Sequence, residues 1–198
     1  MADKDYCVFD IQPAKSLAQV KTELELKDER SAFGFPHRMG FSIGCTFTPK
    51  DKFKFFPTAD EMADYLLKVK GKLVSFNGTR FGLPLLLNEV QIDKFLGLQH
   101  LPHLDILTDF YDRVQGRFRV SLDNMAKASL GRGRINDVDA SLLFEEGRLN
   151  ELSEYCQRNV ELVDGLYDFG LKNRKIRFIP AGKTEIAEIK VNYDEAMP

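Results

Sequence analysis

The 198-residue chain has few cysteines, few histidines and no excess of positive charge. Its three cysteines, Cys7, Cys45 and Cys156, are scattered, and no CxxC or Cys/His spacing suited to zinc occurs. That excludes a disulfide framework and a zinc module, and the thiols read as reduced core residues of a cytoplasmic protein. His37, His100 and His103 have neither triad nor metal spacing, so structural roles are expected of them. Lys and Arg number 28 against 30 Asp and Glu, a net charge of −2. No global positive field therefore draws the chain to nucleic acid, and any such contact must come from a local patch. No run of about 18 apolar residues occurs, which excludes a membrane-spanning helix, and no membrane partner is expected. The opening MADKDYCVFDIQ lacks the basic start and apolar core of a signal peptide. Internal repeats and low-complexity segments are also missing.

What is present is an ordinary globular composition, 43% hydrophobic and 29% charged, enough for a sizeable core. The simplest organisation is one domain over residues 1–172, followed by a β-like extension or arm over 173–198. The chain is organised around residues 73–86, LVSFNGTRFGLPLL. A short apolar run forms a buried strand, Asn77-Gly78 breaks it into a turn by tolerating positive φ, and Pro84 opens a helix to about Gly97. The turn thus lies at the carboxyl end of a strand, where open α/β sheets place their ligands.

Elsewhere, strands are expected over 6–11, 39–47 and 52–56, the last two as a hairpin turning near residues 49–51. Residues 21–36 are polar and read as a surface loop or short helix. Thr58 and Glu61 form a capping box for a helix to about Lys70. Ser121 caps a helix over 122–130 that Gly131 stops. A short helix follows near 140–146. Asn150 caps a long helix to about Phe169, closed by Gly170, with an apolar stripe through Leu152, Tyr155, Cys156, Val163, Leu166 and Tyr167. Asn159 falls on that stripe, where burying it unpaired would cost about 1–3 kcal/mol, so it should meet a polar partner. Two β-like runs over 175–179 and 185–191 suggest an edge hairpin or an arm.

Three separated stretches carry a further signal: Phe9-Asp10-Ile11-Gln12, the central stretch with Phe81-Gly82, and Tyr155-Cys156 with Asn159 one turn on. In this order they resemble the three motifs of the DEDDy-type 3′–5′ exonucleases, proofreading-type enzymes. Residues 16–20, 103–107, 129–131 and 144–148 support the likeness. The chain looks closest to the bacterial predicted-exonuclease group, found alone or beside helicase modules. The resemblance implies an α/β ribonuclease H-like fold, a mixed central sheet flanked by helices. It also implies a site built from Asp10, Gln12, Gly82, Tyr155 and Asn159. In the family, four carboxylates hold two metal ions and the tyrosine orients the attacking water. In this chain Asp10 remains, while Gln12, Gly82 and Asn159 stand where carboxylates are implied.

That substitution is physically serious. Two divalent ions about 4 Å apart repel by roughly 16 kcal/mol at an effective dielectric of 20, and anionic ligands must offset it. One Mg²⁺ or Mn²⁺ held weakly at Asp10 is the most this set supports, unless Asp105, Asp164 or Glu161 substitutes. Asp105 lies near the right strand end but also reads as a helix cap, and Asp164 points off the stripe. The expected function is a degenerate exonuclease-like domain, a pseudoenzyme, that binds nucleic acid or a partner without efficient cleavage. An active metal-dependent 3′–5′ exonuclease with a rearranged ligand set and a protein-interaction scaffold are the alternatives. The implied partners are a single strand or 3′ end and a helicase or nuclease protein. Asn77, Arg80, Arg132 and Arg134 are assigned to nucleic acid, with Arg117 and Arg119 nearby. A solvated loop is an equal reading of these arginines. Tyr155 reads equally as core packing.

Overall fold

Tyr6–Pro13 forms the first strand, β1, buried on both faces. Its Cys7, Phe9 and Ile11 enter one apolar core, and Val8 enters another. The structure, a computed structural model, describes residues 5–134 and 138–194. Residues 1–4, 135–137 and 195–198 of the expected division lie outside the described residues. The remaining strands are β2 Phe41–Thr48, β3 Lys52–Phe56, β4 Lys72–Ser75, β5 His103–Asp105, β6 Lys175–Phe178 and β7 Ala187–Lys190. The helices are α1 Leu17–Glu23, α2 Ala59–Leu66, α3 Ile92–Gln99, α4 Ile106–Val114, α5 Leu122–Leu130, α6 Ala140–Glu145 and α7 Leu149–Asn173.

Five strands form one mixed sheet in the order β3-β2-β1-β4-β5. The first three are an antiparallel meander, with Thr48 opposite Lys52 across the expected hairpin. β1 and β4 are parallel, Val8 beside Val74, and β4 and β5 are parallel. Helices cover both faces. Val8, Cys45, Val74 and Leu104 pack with α4 to α7 and the β6–β7 hairpin. Cys7, Phe9, Ile11 and Leu73 pack with α1, α2, α3 and Leu83, Leu85 and Leu86. Among the described residues no helix is long and apolar enough to cross a membrane.

Local capping follows the sequence in places. Ser121 accepts the Asn124 amide at 3.2 Å, and Gly131 closes α5 at φ +69°. Thr58 accepts the Glu61 amide at 3.3 Å, although α2 ends at Leu66 rather than Lys70. Where a polar loop or short helix was expected over 21–36, α1 carries a reciprocal box between Ser16 and Gln19, and a 3₁₀ helix, Glu29–Gly34, follows.

Three expectations fail for tertiary reasons. The helix expected from Pro84 to Gly97 is split into a 3₁₀ turn, Leu83–Leu86, and α3. Between them Asn88 turns its amide to the His37 carbonyl, 3.0 Å away. Asn150 lies inside α7, which begins after Arg148. Gly170 also lies inside α7, which continues to Asn173. A Cβ at Gly170 would overlap the Tyr193 ring, so this glycine permits close approach rather than ending the helix.

The β6–β7 hairpin is docked onto the domain. Ser129 of α5 exchanges hydrogen bonds with the Arg177 backbone at 3.0 and 3.1 Å, and Asn124 does so with Ile179 at 3.0 Å. Tyr193 beyond it is 2% exposed and stacks on Tyr167 at 6.0 Å. Gly170→Ala tests this contact. Alanine should gain up to about 1 kcal/mol of helix propensity. Overpacking a buried ring costs about 1–3 kcal/mol. The net expected effect is a loss of about 1–2 kcal/mol, read from the urea midpoint; an unchanged or raised midpoint would show that the ring yields freely.

Candidate functional site

The packing of α7 against β1 brings the first and third of the resembling stretches together. Even-numbered residues of β1 face α7, so Asp10 points at that helix. Asn159 donates from Nδ2 to Asp10 Oδ2 at 3.0 Å. Gln12 Nε2 donates to the same oxygen over a very short distance. The Cys156 thiol lies 3.6 Å from both that oxygen and the Asp10 carbonyl. Gln12 and Asn159 are buried, whereas Asp10 keeps part of its surface open to solvent. Asn159 therefore finds the polar partner expected of it, although its Oδ1 has none among the described residues.

Burial pushes the Asp10 carboxyl above the usual range, against the pull of Asn159, Arg134, Gln12 and Cys156 in that order. Burial, Cys45 and Asp10 together push the Cys156 thiol well up, so it stays a thiol and can donate. Burial holds the His103 ring below its usual value. Its Nε2 meets Ser75 Oγ at 2.7 Å and its ring packs on Phe9 at 5.3 Å, the structural role expected.

The central turn is built differently from the sequence picture. Only Asn77 takes positive φ, at +63°. Gly78 is needed because a Cβ there would overlap Ser75 Oγ, whose oxygen already receives the Gly78 amide at 3.1 Å. A single π-helical turn, Gly78–Gly82, then leads into the 3₁₀ turn. A Cβ at Gly82 would lie 3.7 Å from Phe9 and 4.0 Å from Ile11, ordinary contacts with the residues either side of Asp10. Gly82 thus abuts β1 from the face opposite the Asp10 carboxylate.

Asp105 is the cap that its sequence context suggested, and it does more than cap. Its carboxylate accepts amides from Leu107 at 3.0 Å and Thr108 at 3.3 Å in α4. It also accepts those of Asn77 at 2.8 Å and Thr79 at 2.9 Å. At 3% exposure and with four donors, it is committed to tying the central turn to α4. Asp164 bonds the Tyr6 hydroxyl at 2.9 Å, and Glu161 pairs with Gln157 and Arg158. None of the three suspected substitutes is hydrogen-bonded into the Asp10 cluster. Among the described residues no group of three or more His, Cys, Asp or Glu side chains is arranged to hold a metal ion. One carboxylate whose Oδ2 is taken by two amide donors, with no second acid bonded into the cluster, does not fit a two-metal centre.

The arginines divide. Arg134 turns inward: its guanidinium lies 5.3 Å above the Tyr155 ring, its Nε is buried, and its amide donates to Asp123 Oδ1 at 2.8 Å. Its expected display to nucleic acid is therefore corrected in part. Arg132 is exposed and acts electrostatically on Asp164. Arg80, exposed in the central turn, lines a cavity of about 410 Å³ with Arg119, Tyr111 and Phe118. The two rings were missed in the sequence because nothing local relates residue 80 to residues 111–119. A larger cavity, about 780 Å³, lies at the amino ends of β1 and β4 between Tyr6, Lys50 and Lys68 and holds none of the site residues. Its size does not mark it as the functional cleft, since the clustered polar groups are at the other end of the sheet.

Neither a family model nor a curated protein sequence matches the chain. Among solved structures it is similar to the family B DNA polymerase from the hyperthermophilic archaeon Pyrobaculum calidifontis, with a TM-score of 0.57 and 16% identity. The match covers 85% of this chain but only 24% of the polymerase. At that identity the likeness is one of fold.

The raised Asp10 carboxyl makes a signed prediction. Its contribution to stability is complete below the ordinary Asp value of about 3.9 and is lost as pH rises through the raised value. Relative to Asp10→Asn, the wild type should lose stability from about pH 4 towards neutrality, by about 1.4 kcal/mol for each pH unit separating the two values. Urea unfolding at stepped pH with chelator present measures this. A difference between the two proteins that stays constant with pH would contradict the raised value.

Proposed function

We propose that the chain is a ribonuclease H-like domain of the proofreading-exonuclease type that binds nucleic acid without cleaving it efficiently. The observation that carries this reading is the Asp10 carboxylate held by Gln12 and Asn159, amides at the two positions where the resemblance implies acids. Amide nitrogens turned to one oxygen of a carboxylate bring no negative charge, so they cannot offset the repulsion between two divalent ions. The sheet order, with an antiparallel meander feeding two parallel strands, supports the ribonuclease H-like assignment. So does the likeness to a portion of a DNA polymerase, an enzyme whose substrate is nucleic acid. In this reading a strand is held by the exposed cations of the central turn and its neighbours, Arg80, Arg119 and Arg132. Tyr111 and Phe118 offer ring faces on which bases stack, a contact worth about 1–3 kcal/mol per base.

Two assays test it. Labelled single-stranded DNA and RNA incubated with Mg²⁺ or Mn²⁺ should show no stepwise shortening from the 3′ end. Gln12→Glu and Asn159→Asp made together should restore metal binding at Asp10, since both amides already reach that carboxylate. Shortening by the unmodified protein that Asp10→Ala abolishes would overturn the non-cleaving reading. Fluorescence anisotropy, with chelator, should show single-strand binding that falls steeply with salt and is weakened at least fivefold by Arg80→Ala/Arg119→Ala. No binding at any salt would leave the protein-scaffold reading in its place.

A further inference from the structure

The Arg134 guanidinium packs on Tyr155, one helical turn before Asn159 of the Asp10 cluster, and the fold spends several contacts to put it there. Gly131 closes α5 and turns the chain back along it. At Gly133 the backbone passes so close to Asp123 and Lys127 that a Cβ would overlap both side chains. Asp123 then takes the Arg134 amide at 2.8 Å while pairing with Lys127 at 2.7 Å. So anchored, the guanidinium packs 5.3 Å above Tyr155. Tyr155 precedes Cys156 and lies one helical turn before Asn159, the two α7 residues that touch the Asp10 carboxylate. The Arg134 Nε is buried and has no partner among the described residues. Its charge also acts on Asp10 across the cluster. The neighbouring Arg132 acts on Asp164 instead, so it does not share this role.

We propose that the Arg134 guanidinium is the resident cation of this site, supplying the positive charge that faces Asp10 and keeping divalent ions out. A buried carboxylate needs a counter-charge, and a cation fixed on an aromatic face supplies one permanently. A divalent ion approaching Asp10 then meets like charge, and one of the two carboxylate oxygens, Oδ2, already accepts from Gln12 and Asn159. This deepens the non-cleaving reading of the site but is independent of nucleic-acid binding, which is measured in chelator and can fail separately.

The test is Mn²⁺ titration of the full chain followed by electron paramagnetic resonance. Wild type and Arg134→Lys, which keeps the charge, should show no saturable site below about 1 mM, the range of weak carboxylate sites. Arg134→Gln should bind at least tenfold more tightly, the change a unit charge roughly 6 Å from a divalent ion makes even in water. Adding Asp10→Asn to Arg134→Gln should abolish that binding. Asp123→Ala, which releases the anchor but keeps the guanidinium, should strengthen Mn²⁺ binding at least threefold and serves if Arg134→Gln does not fold. The proposal is overturned by Mn²⁺ binding in Arg134→Gln no tighter than in wild type, by binding that survives Asp10→Asn, or by an Asp123→Ala protein that behaves as wild type.

Discussion

The hydrogen bond from Asn159 to Asp10 joins the first strand to the longest helix, and much of the site follows from what that carboxylate requires. Taking an ion out of water costs several kcal/mol even after a protein relaxes around it. Hydrogen bonds to a charged group return about 1.5–3 kcal/mol each, so two amides and a weak thiol donor offset the cost only in part. The raised carboxyl of Asp10 records the remainder. The packing that seats Val8 and Cys45 under α7 holds Asp10 there regardless. A group kept where it costs stability, amid an otherwise consistent fold, marks the place where function and foldability pull apart.

A second buried aspartate shows the other solution. Asp105 is the more enclosed of the two, and its four donors are backbone amides from two segments, the central turn and the start of α4. Those amides would themselves be unpaired without it, since the first turn of a helix and a left-handed turn leave donors free. Each side of that arrangement satisfies the other. It fixes Asn77 in its left-handed conformation and so aims the chain that carries Arg80 and Gly82. Asp10 has no such reciprocity: Gln12 and Asn159 reach it with side chains, and Asn159 Oδ1 stays unpaired.

Local signals were legible in the sequence wherever one segment sufficed to decide them. The strand around Asp10, the Ser121 cap and the Gly131 stop need no distant partner. The Asn159 argument also worked, because an amide on an apolar stripe has few physical outcomes. Signals failed where a distant residue decided the matter. Gly170 reads as a helix stop until Tyr193, far along the chain, is packed against it. Asn77-Gly78 reads as a pair of flexible residues, yet one supplies a dihedral angle and the other the absence of a side chain. Arg134 sits in a glycine-rich basic run that reads as a solvated loop, and only its packing on distant Tyr155 shows that its side chain turns inward. In each case composition is right about what a residue tolerates, and tertiary contact decides which tolerance is used.

The arginines give that distinction a consequence for how a near-neutral chain could hold a polyanion. Its net charge is −2, so attraction must be local. An inward guanidinium facing a carboxylate adds little to the outside field, because the pair largely cancels at distances beyond the Debye length of about 8 Å. The exposed arginines at 80, 119 and 132 are what an approaching phosphate chain would meet. Under the proposed function the two sets therefore divide the work, one satisfying the core of the site and the other making contact. Contacts of the second kind hold a phosphate equally well before and during bond breaking. Only interactions that strengthen in the transition state accelerate a reaction. Under the proposed function, with Asp10 Oδ2 already accepting from Gln12 and Asn159, the residues gathered at this end of the sheet would offer binding energy without converting it into catalysis.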